Sequence, residues 1–430
     1  MMRILLTGAS GFIGRHVCRA LLSDGHDVTV CARNPSAVTA CLPGVNAIEA
    51  DFSRDHAPAD WLPRLAGIEC VINAVGIIRE TPTQSFDALH TRAPKALFAA
   101  CTSARVSRII QISALGADEA AQTAYHLSKK AADDFLRTLD LEWIIVQPSL
   151  AYGPGGASAQ LFNRLAAAPL IMLIGRGEQR VQPIHVDDLA ELIAKCVMTK
   201  SCVRQTIAAV GPRATTLREW LNTLRSGMRL PATLNLPLPL RLMRAAALLG
   251  DRIPSAPLTR DTLAMLERGN TADTGPCARL LGRTPTAIEH FIPCDHAAAI
   301  ASAARLSIAL PLLRWSIALL WLVSGVVSLG IYPVEASYAL LARTGVSASL
   351  APFALYAAAA LDIVFGMWIL IGRRTTGLWL AQLAVIGAYS AIIAWYLPEF
   401  WLHPYAPMVK NIPIAAAIFL LLLLEPKAKK

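Results

Sequence analysis

Apolar residues fall into two regimes along this chain. Over roughly the first 300 positions they form short, nearly all-apolar runs rich in β-branched residues. These are Ile4–Leu6, Asp27–Ala32, Asn46–Ala50, Cys70–Gly76, Arg108–Ser113 and Trp143–Pro148. Stretches with helical periodicity separate them, notably Arg15–Leu22, Phe86–Ala100 and Tyr125–Leu139. Strands apolar on both faces, alternating with helices, predict a doubly wound parallel α/β sheet covered on both sides. From Ala151 to Ala304 the pattern is mixed. Tyr152–Gly156 reads as a loop, and Gln182–Ala190 as a strand end entering a helix that Asp187 or Asp188 would cap. The proline- and leucine-rich Pro231–Pro257 stretch reads as a cover for a substrate cleft.

Beyond about residue 305 the charges thin out and four long apolar runs appear: Pro311–Leu329, Pro352–Ile371, Gly377–Leu397 and Ile412–Leu424. The first three approach the ~20 residues that span a bilayer, and the fourth does so if it reaches back past Lys410 to Pro407. The predicted organisation is a nucleotide-binding domain over 1–214, a small mixed substrate-side part over 215–304, and a four-helix transmembrane bundle over 305–430.

Composition supports the division. The chain has 430 residues, 54% of them hydrophobic, with a mean hydropathy of +0.46, high for a wholly soluble protein. Its net charge of +10 is scattered, with no basic stripe interleaved with aromatics, so nucleic acid is excluded as a partner. An excess of positive charge suits a domain lying against an anionic inner leaflet. Arg373, Arg374, Lys427, Lys429 and Lys430 fall on the N-terminal domain's side if all four runs span. The positive-inside rule makes that side cytoplasmic, in a multi-pass protein of a bacterial-type inner membrane. Met1–Leu6 is too short for a secretory signal. The nine cysteines all precede the membrane part and show no CxxC or zinc spacing. They read as small buried hydrophobes in a reducing compartment, and no metal site is expected.

The chemistry concentrates at two places. Thr7-Gly8-Ala9-Ser10-Gly11-Phe12-Ile13-Gly14 joins the first predicted strand to the first predicted helix. Gly8 allows a tight turn, Gly11 lets backbone N–H groups approach a pyrophosphate, and Gly14 lets helix and strand pack closely. The pyrophosphate would sit on the helix N-terminus, which makes the sheet Rossmann-like. Tyr125 and Lys129, four residues apart, share one helix face. An ammonium beside a phenol lowers the phenol's pKa and fits it for acid–base work. Ser113, at the carboxyl edge of the sheet, is placed to hold a substrate oxygen. After the second strand stands Arg33, where an NAD-preferring site has an acidic residue; with help from Arg15 it favours NADP over NAD. Asp51 follows the third strand and is expected near adenine.

With these motifs, Pro148–Gly155 and Ile184–Ala190, the first 300 or so residues resemble the extended or atypical short-chain dehydrogenase/reductase superfamily. Within it the chain is most similar to the branch related to the nucleotide-binding accessory subunit of respiratory complex I. Ser324-Gly325, Leu361-Asp362 and Lys410-Asn411 resemble DoxX-like membrane domains. The resemblance implies a catalytic Ser113, Tyr125 and Lys129 triad. It also implies a nucleotide site drawn from Gly8, Ser10, Gly11, Phe12, Ile13, Gly14, Arg33, Asp51, Phe52, Ala74, Gly76, Lys129 and Pro148. Two departures count against a sugar-nucleotide enzyme: the segment Asn73–Arg79 after the fourth strand, and His90-Thr91-Arg92-Ala93 where those enzymes carry an asparagine-led motif. The expected function is a membrane-anchored NAD(P)-dependent oxidoreductase of an apolar carbonyl or alcohol. The alternatives are a non-catalytic nucleotide-binding protein of a membrane complex and a nucleotide-sugar epimerase or dehydratase. Asp362, midway along the second apolar run, is expected to face the bundle interior, either as a polar functional site or bonded to Ser324 or Gln382.

Overall fold

The computed structural model describes residues 1–253, 256–372 and 376–425. The chain divides into two compact units between Ala304 and Arg305. In the first, seven strands form one sheet: β1 (Arg3–Thr7), β2 (Asp27–Ala32), β3 (Asn46–Glu49), β4 (Cys70–Asn73), β5 (Arg108–Ile112), β6 (Glu142–Pro148) and β7 (Gln205–Ala209). Their order is β7-β6-β5-β4-β1-β2-β3, and every pairing is parallel. The sheet is the Rossmann-like one predicted. β7 is not among the predicted strands: its first two residues are exposed, which leaves too short an apolar run.

Helices α1 (Phe12–Ser23) and α4 (Val186–Met198) cover one face, and α2 (Ala93–Ser103) and α3 (Ala124–Arg137) the other. Ile4 and Leu6 pack with Val17, Leu21 and Ile193 on the first side. Leu5 packs with Leu97, Phe98 and Leu136 on the second. Alternate residues of one strand thus enter two cores, which explains the unbroken apolar runs. β4 ends at Asn73, short of Gly76, and the Asn73 side chain ties it to both neighbouring strands: Thr7 donates to its Oδ1 at 2.6 Å, and its Nδ2 donates to Gln111 at 2.8 Å. The helix expected over Phe86–Ala100 opens instead with a π turn at Asp87–Arg92. Pro94 has no N–H to give the carbonyl four residues back, and its ring crowds that carbonyl, so the turn widens.

A smaller lobe completes this unit, with Tyr152, Ala166, Trp220, Leu224 and Phe291 at its core. In it Ile171–Ile174 pairs in parallel with Asn235–Leu238, which leads into α5 (Leu240–Gly250). Two arginines clamp the lobe over the carboxyl edge of the sheet. Arg79, beyond β4, donates to the carbonyls of Gly250, Asp251 and Ala256 at 3.0–3.2 Å. Arg268 forks onto Asp118, beyond β5, at 2.6 Å and donates to the Gly116 carbonyl at 2.8 Å. Of the Pro231–Pro257 stretch, Gly250, Asp251 and Ala256 therefore lie beside the edge where a ligand of such a sheet binds.

The second unit carries α7 (Ala351–Ile371), α8 (Thr376–Tyr396) and α9 (Pro407–Leu424); α6 (Ala297–Val326) crosses the division and ends in a π turn at Val327–Ile331. These four are long and apolar enough to cross a membrane, and the chain is a multi-pass membrane protein. α9 does reach back past Lys410. Backbones approach closely where side chains are absent: a Cβ on Gly325 would lie 2.7 Å from the Ala359 carbonyl oxygen, and one on Gly366 2.6 Å from the Leu322 side chain. Asp362 is buried and accepts a 2.7 Å hydrogen bond from Ser324. Gln382 accepts instead from Trp321 at 2.7 Å. Arg373, Arg374, Lys427, Lys429 and Lys430, on which the predicted orientation rests, lie outside the described residues.

Candidate functional site

The strand order reverses between β1 and β4, and the glycine turn occupies that point. Gly11 is the N-cap of α1 and supplies no side-chain cap, so the first N–H groups of the helix stay open for an anion. Gly8 has φ +73°, and a Cβ there would lie 2.6 Å from the Ala74 carbonyl. A Cβ on Gly14 would lie 2.1 Å from the Gly8 oxygen. These positions exclude any larger residue, and the cradle they form fits a nucleotide pyrophosphate.

A cleft of about 210 Å³ opens from this turn. Of the predicted residues, Gly8, Ser10, Gly11, Arg33, Asp51, Phe52, Ala74 and Gly76 line it. Cys31, Ala32, Ala50, Ser53, Val75, Ile77, Gln84 and Leu89 line it as well. Most of these stand at or just past the carboxyl ends of β2, β3 and β4, a positional signal the motif search did not use. Phe12, Ile13, Gly14 and Pro148 do not line the cleft. Phe12 packs edge-on to His16, Ile13 joins the core, and the Pro148 carbonyl accepts the Leu115 N–H. Arg33 is exposed, and among the described residues its guanidinium has no recorded partner. Arg15 does not join it: its Nε donates to the Gly11 carbonyl at 3.3 Å, and it lines a separate groove with His16, Arg19, Pro154 and Asp187. Burial would raise Asp51, but hydrogen bonds from Ser53 and Arg54 outweigh it and hold the carboxyl below its ordinary value.

Lys129 stands beside the Gly76 wall of the cleft, and Ser113 and Tyr125 neighbour it through Asp133 rather than in the pairing expected. Lys129 Nζ donates to the carbonyls of Val75 at 3.1 Å and Ile112 at 3.2 Å. A Cβ on Gly76 would stand 3.1 Å from this nitrogen, so the ammonium walls the cleft. Burial lowers Lys129 to about 8, against the opposing charge of Asp133. The Tyr125 ring packs edge-on to Phe86, His90 and His126. The expected depression of Tyr125 by Lys129 is absent. Burial pushes the phenol up to about 12, with Asp133 adding to the rise, because the ammonium is bonded to two carbonyls rather than to the phenol.

Two further residues complete the cluster. Ser113 Oγ donates to Asp133 at 2.5 Å. Asp133 is fully buried, and burial raises it to about 6 despite the Ser113 bond and Lys129. It stands four residues after Lys129, so Tyr125, Lys129 and Asp133 repeat along one helix face, a spacing visible in the sequence though Asp133 is not among the predicted site residues. His90 is the second. Its Nε2 accepts the Ile77 N–H at 2.9 Å, so Nδ1 carries the proton and donates to Ser128 Oγ at 2.9 Å. Ser128 in turn donates to the Tyr125 carbonyl at 2.8 Å. Burial and the Lys129 charge push His90 down to about 2. It stays neutral and ties the cleft wall to the helix bearing Tyr125.

Comparison with known proteins agrees with this geometry. Residues 8–200 match the NAD(P)H-binding family model, and residues 318–419 match the DoxX-like family model. A ceramide reductase of Caulobacter vibrioides is 33% identical over 197 residues, 45% of this chain and 60% of that protein. The 40 kDa subunit of NADH-ubiquinone oxidoreductase from Neurospora crassa is 24% identical over 219 residues, 49% of this chain and 56% of that one. The chain therefore spans less than two thirds of the length of these curated relatives. The UDP-glucuronic acid 4-epimerase of Bacillus cereus, solved with UDP-glucuronic acid and NAD, superposes with a TM-score of 0.52 at 19% identity, covering 71% of this chain and 99% of that one. That likeness is one of fold.

Proposed function

We propose that the chain, which matches an NAD(P)H-binding family model over residues 8–200 and a DoxX-like one over 318–419, is a membrane-anchored, NADP(H)-dependent reductase of a long-chain lipid carbonyl. The observation that supports this reading is Lys129, on the same face of α3 as Tyr125 and Asp133, standing beside the Gly76 wall of the glycine-turn cleft, with Ser113 bonded to Asp133. A nicotinamide held there would supply the hydride. Tyr125, held near 12, keeps its proton until a substrate oxygen takes it, which suits a general acid. Lys129 places a positive charge beside the phenolate that results. Ser113 would hold the substrate oxygen, although its proton points at Asp133. A protonated Asp133 would donate to Ser113 Oγ and free that proton for substrate. Arg33, at the cleft and without a partner among the described residues, is available for a 2′-phosphate. The Caulobacter relative is named for a lipid, and four apolar helices give this chain a bilayer from which to draw one. Under the positive-inside rule the site faces the cytoplasm.

The test is NADPH oxidation by the full chain in vesicles containing N-acyl-3-oxosphinganine. Turnover that Tyr125→Phe lowers by about 10²–10⁴-fold, with NADPH affinity unchanged, supports the proposal. Bound NADPH that no lipid ketone oxidises supports a second reading, a non-catalytic nucleotide-binding subunit. That reading is favoured by the commitment of Ser113 to Asp133.

A further inference from the structure

Among the described residues, the small lobe presents an apolar face with no partner in its own unit. α5 packs through Leu240, Met243, Ala247 and Gly250. Ala247 is fully buried, and a Cβ on Gly250 would lie 1.9 Å from the Leu258 carbonyl oxygen. The opposite side exposes Leu242, Leu249 and, just past the helix end, Ile253, at 56%, 61% and 52%. Beside that stripe runs another, Arg241, Arg244, Leu248 and Arg252, all exposed. Arg244 meets Glu267 at 3.2 Å. The side chains of Arg241 and Arg252 have no recorded partner among the described residues. The strand before α5 continues the theme. Leu234, just ahead of it, is 75% exposed, and Leu236 is exposed in register with exposed Met172 on the neighbouring strand.

We propose that this face of α5 docks on the surface of a bilayer containing anionic phospholipid, its leucines entering the headgroup boundary and Arg241 and Arg252 meeting phosphates. An apolar stripe flanked by arginines on a helix of this kind has the character of an interfacial helix, and basic residues gain from an anionic leaflet. The charge argues against self-association, because a two-fold pairing of this face would bring arginines against arginines. The chain also carries its own route to the bilayer, four helices able to cross it. The position has a consequence for the site. Through Arg79, the end of α5 is bonded to the loop after β4. That loop exposes Ile78 and lines the cleft with Gly76 and Ile77. A docked α5 would hold the cleft mouth beside the lipid. The inference rests on the membrane anchoring and not on the proposed reduction.

The experiment uses the full chain with Cys41→Ser and Cys294→Ser, which removes the exposed thiols. A fluorescent label is placed at Leu249→Cys, or at Asp140→Cys as a control. Asp140 stands in the turn before β6, at the other edge of the sheet. Labelled protein is reconstituted in vesicles of phosphatidylcholine with or without phosphatidylglycerol, each containing doxyl-labelled lipid as quencher. Retained quenching of protein fluorescence by NADPH reports an intact fold. The expected result is severalfold stronger quenching at position 249 than at 140, dependent on phosphatidylglycerol and lost in Arg241→Glu/Arg252→Glu. Equal quenching at both positions, or none at 249, overturns the proposal. Protection of the 249 label by a second copy, seen as concentration-dependent cross-linking, overturns it in favour of a dimer. Because no turnover is read, a docked but inactive protein would refute the reductase reading alone.

Discussion

Gly14→Ala should damage nucleotide binding more than it damages the fold. The added methyl would lie 2.1 Å from the Gly8 carbonyl oxygen and 2.7 Å from its carbon, both backbone atoms with no rotamer to change. Relief requires α1 to withdraw from the turn by roughly 1 Å, and overpacking of this kind typically costs about 1–3 kcal/mol of stability. The same shift moves the open N–H groups away from the pyrophosphate. A misplacement of about 1 Å can cost about 10²-fold in function, and about 10² in affinity corresponds to ~2.7 kcal/mol. Gly25→Ala is the control. Gly25 has φ +76° with nothing within 4 Å of its Cβ position, so alanine there costs about 1–2 kcal/mol of backbone strain and leaves the cleft alone. Thermal unfolding in detergent and NADPH titration by fluorescence separate the two quantities. Both variants should melt lower, and only Gly14→Ala should lose affinity, by about 10²-fold. Unchanged NADPH binding by Gly14→Ala would show that the pyrophosphate does not sit on this turn.

Asp133, raised to about 6 from 3.8, contributes stability that is fully present below its unfolded value and lost as pH rises through about 6. Melting curves from pH 4 to 7 should show that component in the native chain and not in Asp133→Asn; identical profiles would contradict the burial argument. Arg33→Ala should raise the dissociation constant for NADPH while leaving that for NADH nearly unchanged, measured by titration, and parallel losses for both cofactors would remove the 2′-phosphate assignment. Asp362→Asn should keep the Ser324 contact and melt within about 1 kcal/mol of native, whereas Asp362→Leu should lose an interhelical hydrogen bond worth ~0.6–1.7 kcal/mol. Loss of lipid reduction in Asp362→Asn without a change in melting would instead mark Asp362 as functional.

The parallel sheet and the membrane helices were legible because their signals are local and redundant. β1, β2, β4, β5 and β6 carry runs with residues in two cores, β3 follows a regular strand–helix alternation, and each membrane helix needs its own length of apolar residues. The edge strand β7 needs only one core, and its exposed Gln205 and Thr206 hide it. The glycine cradle was legible because backbone proximity admits one residue type. The wiring of the triad was not, since Tyr125 and Lys129 could be placed on one helix face without revealing that Val75 and Ile112 claim the ammonium. Nor could Ser113 be paired with Asp133, 20 residues away, before β5 and α3 were packed. Arg15 fell on the wrong side for the same reason: its position on α1 points it at Pro154 and Gly155 rather than at Arg33.

The central claim is that this cleft transfers hydride between NADP(H) and a lipid. Full-length protein in vesicles, supplied with NADPH deuterated at the transferable C4 position and with N-acyl-3-oxosphinganine, tests it directly when the lipid product is read by mass spectrometry. The account predicts one deuterium on the new carbinol carbon with the native chain, and product lowered by about 10²–10⁴-fold with Tyr125→Phe. Tightly bound NADPH with no deuterium reaching that lipid would contradict it.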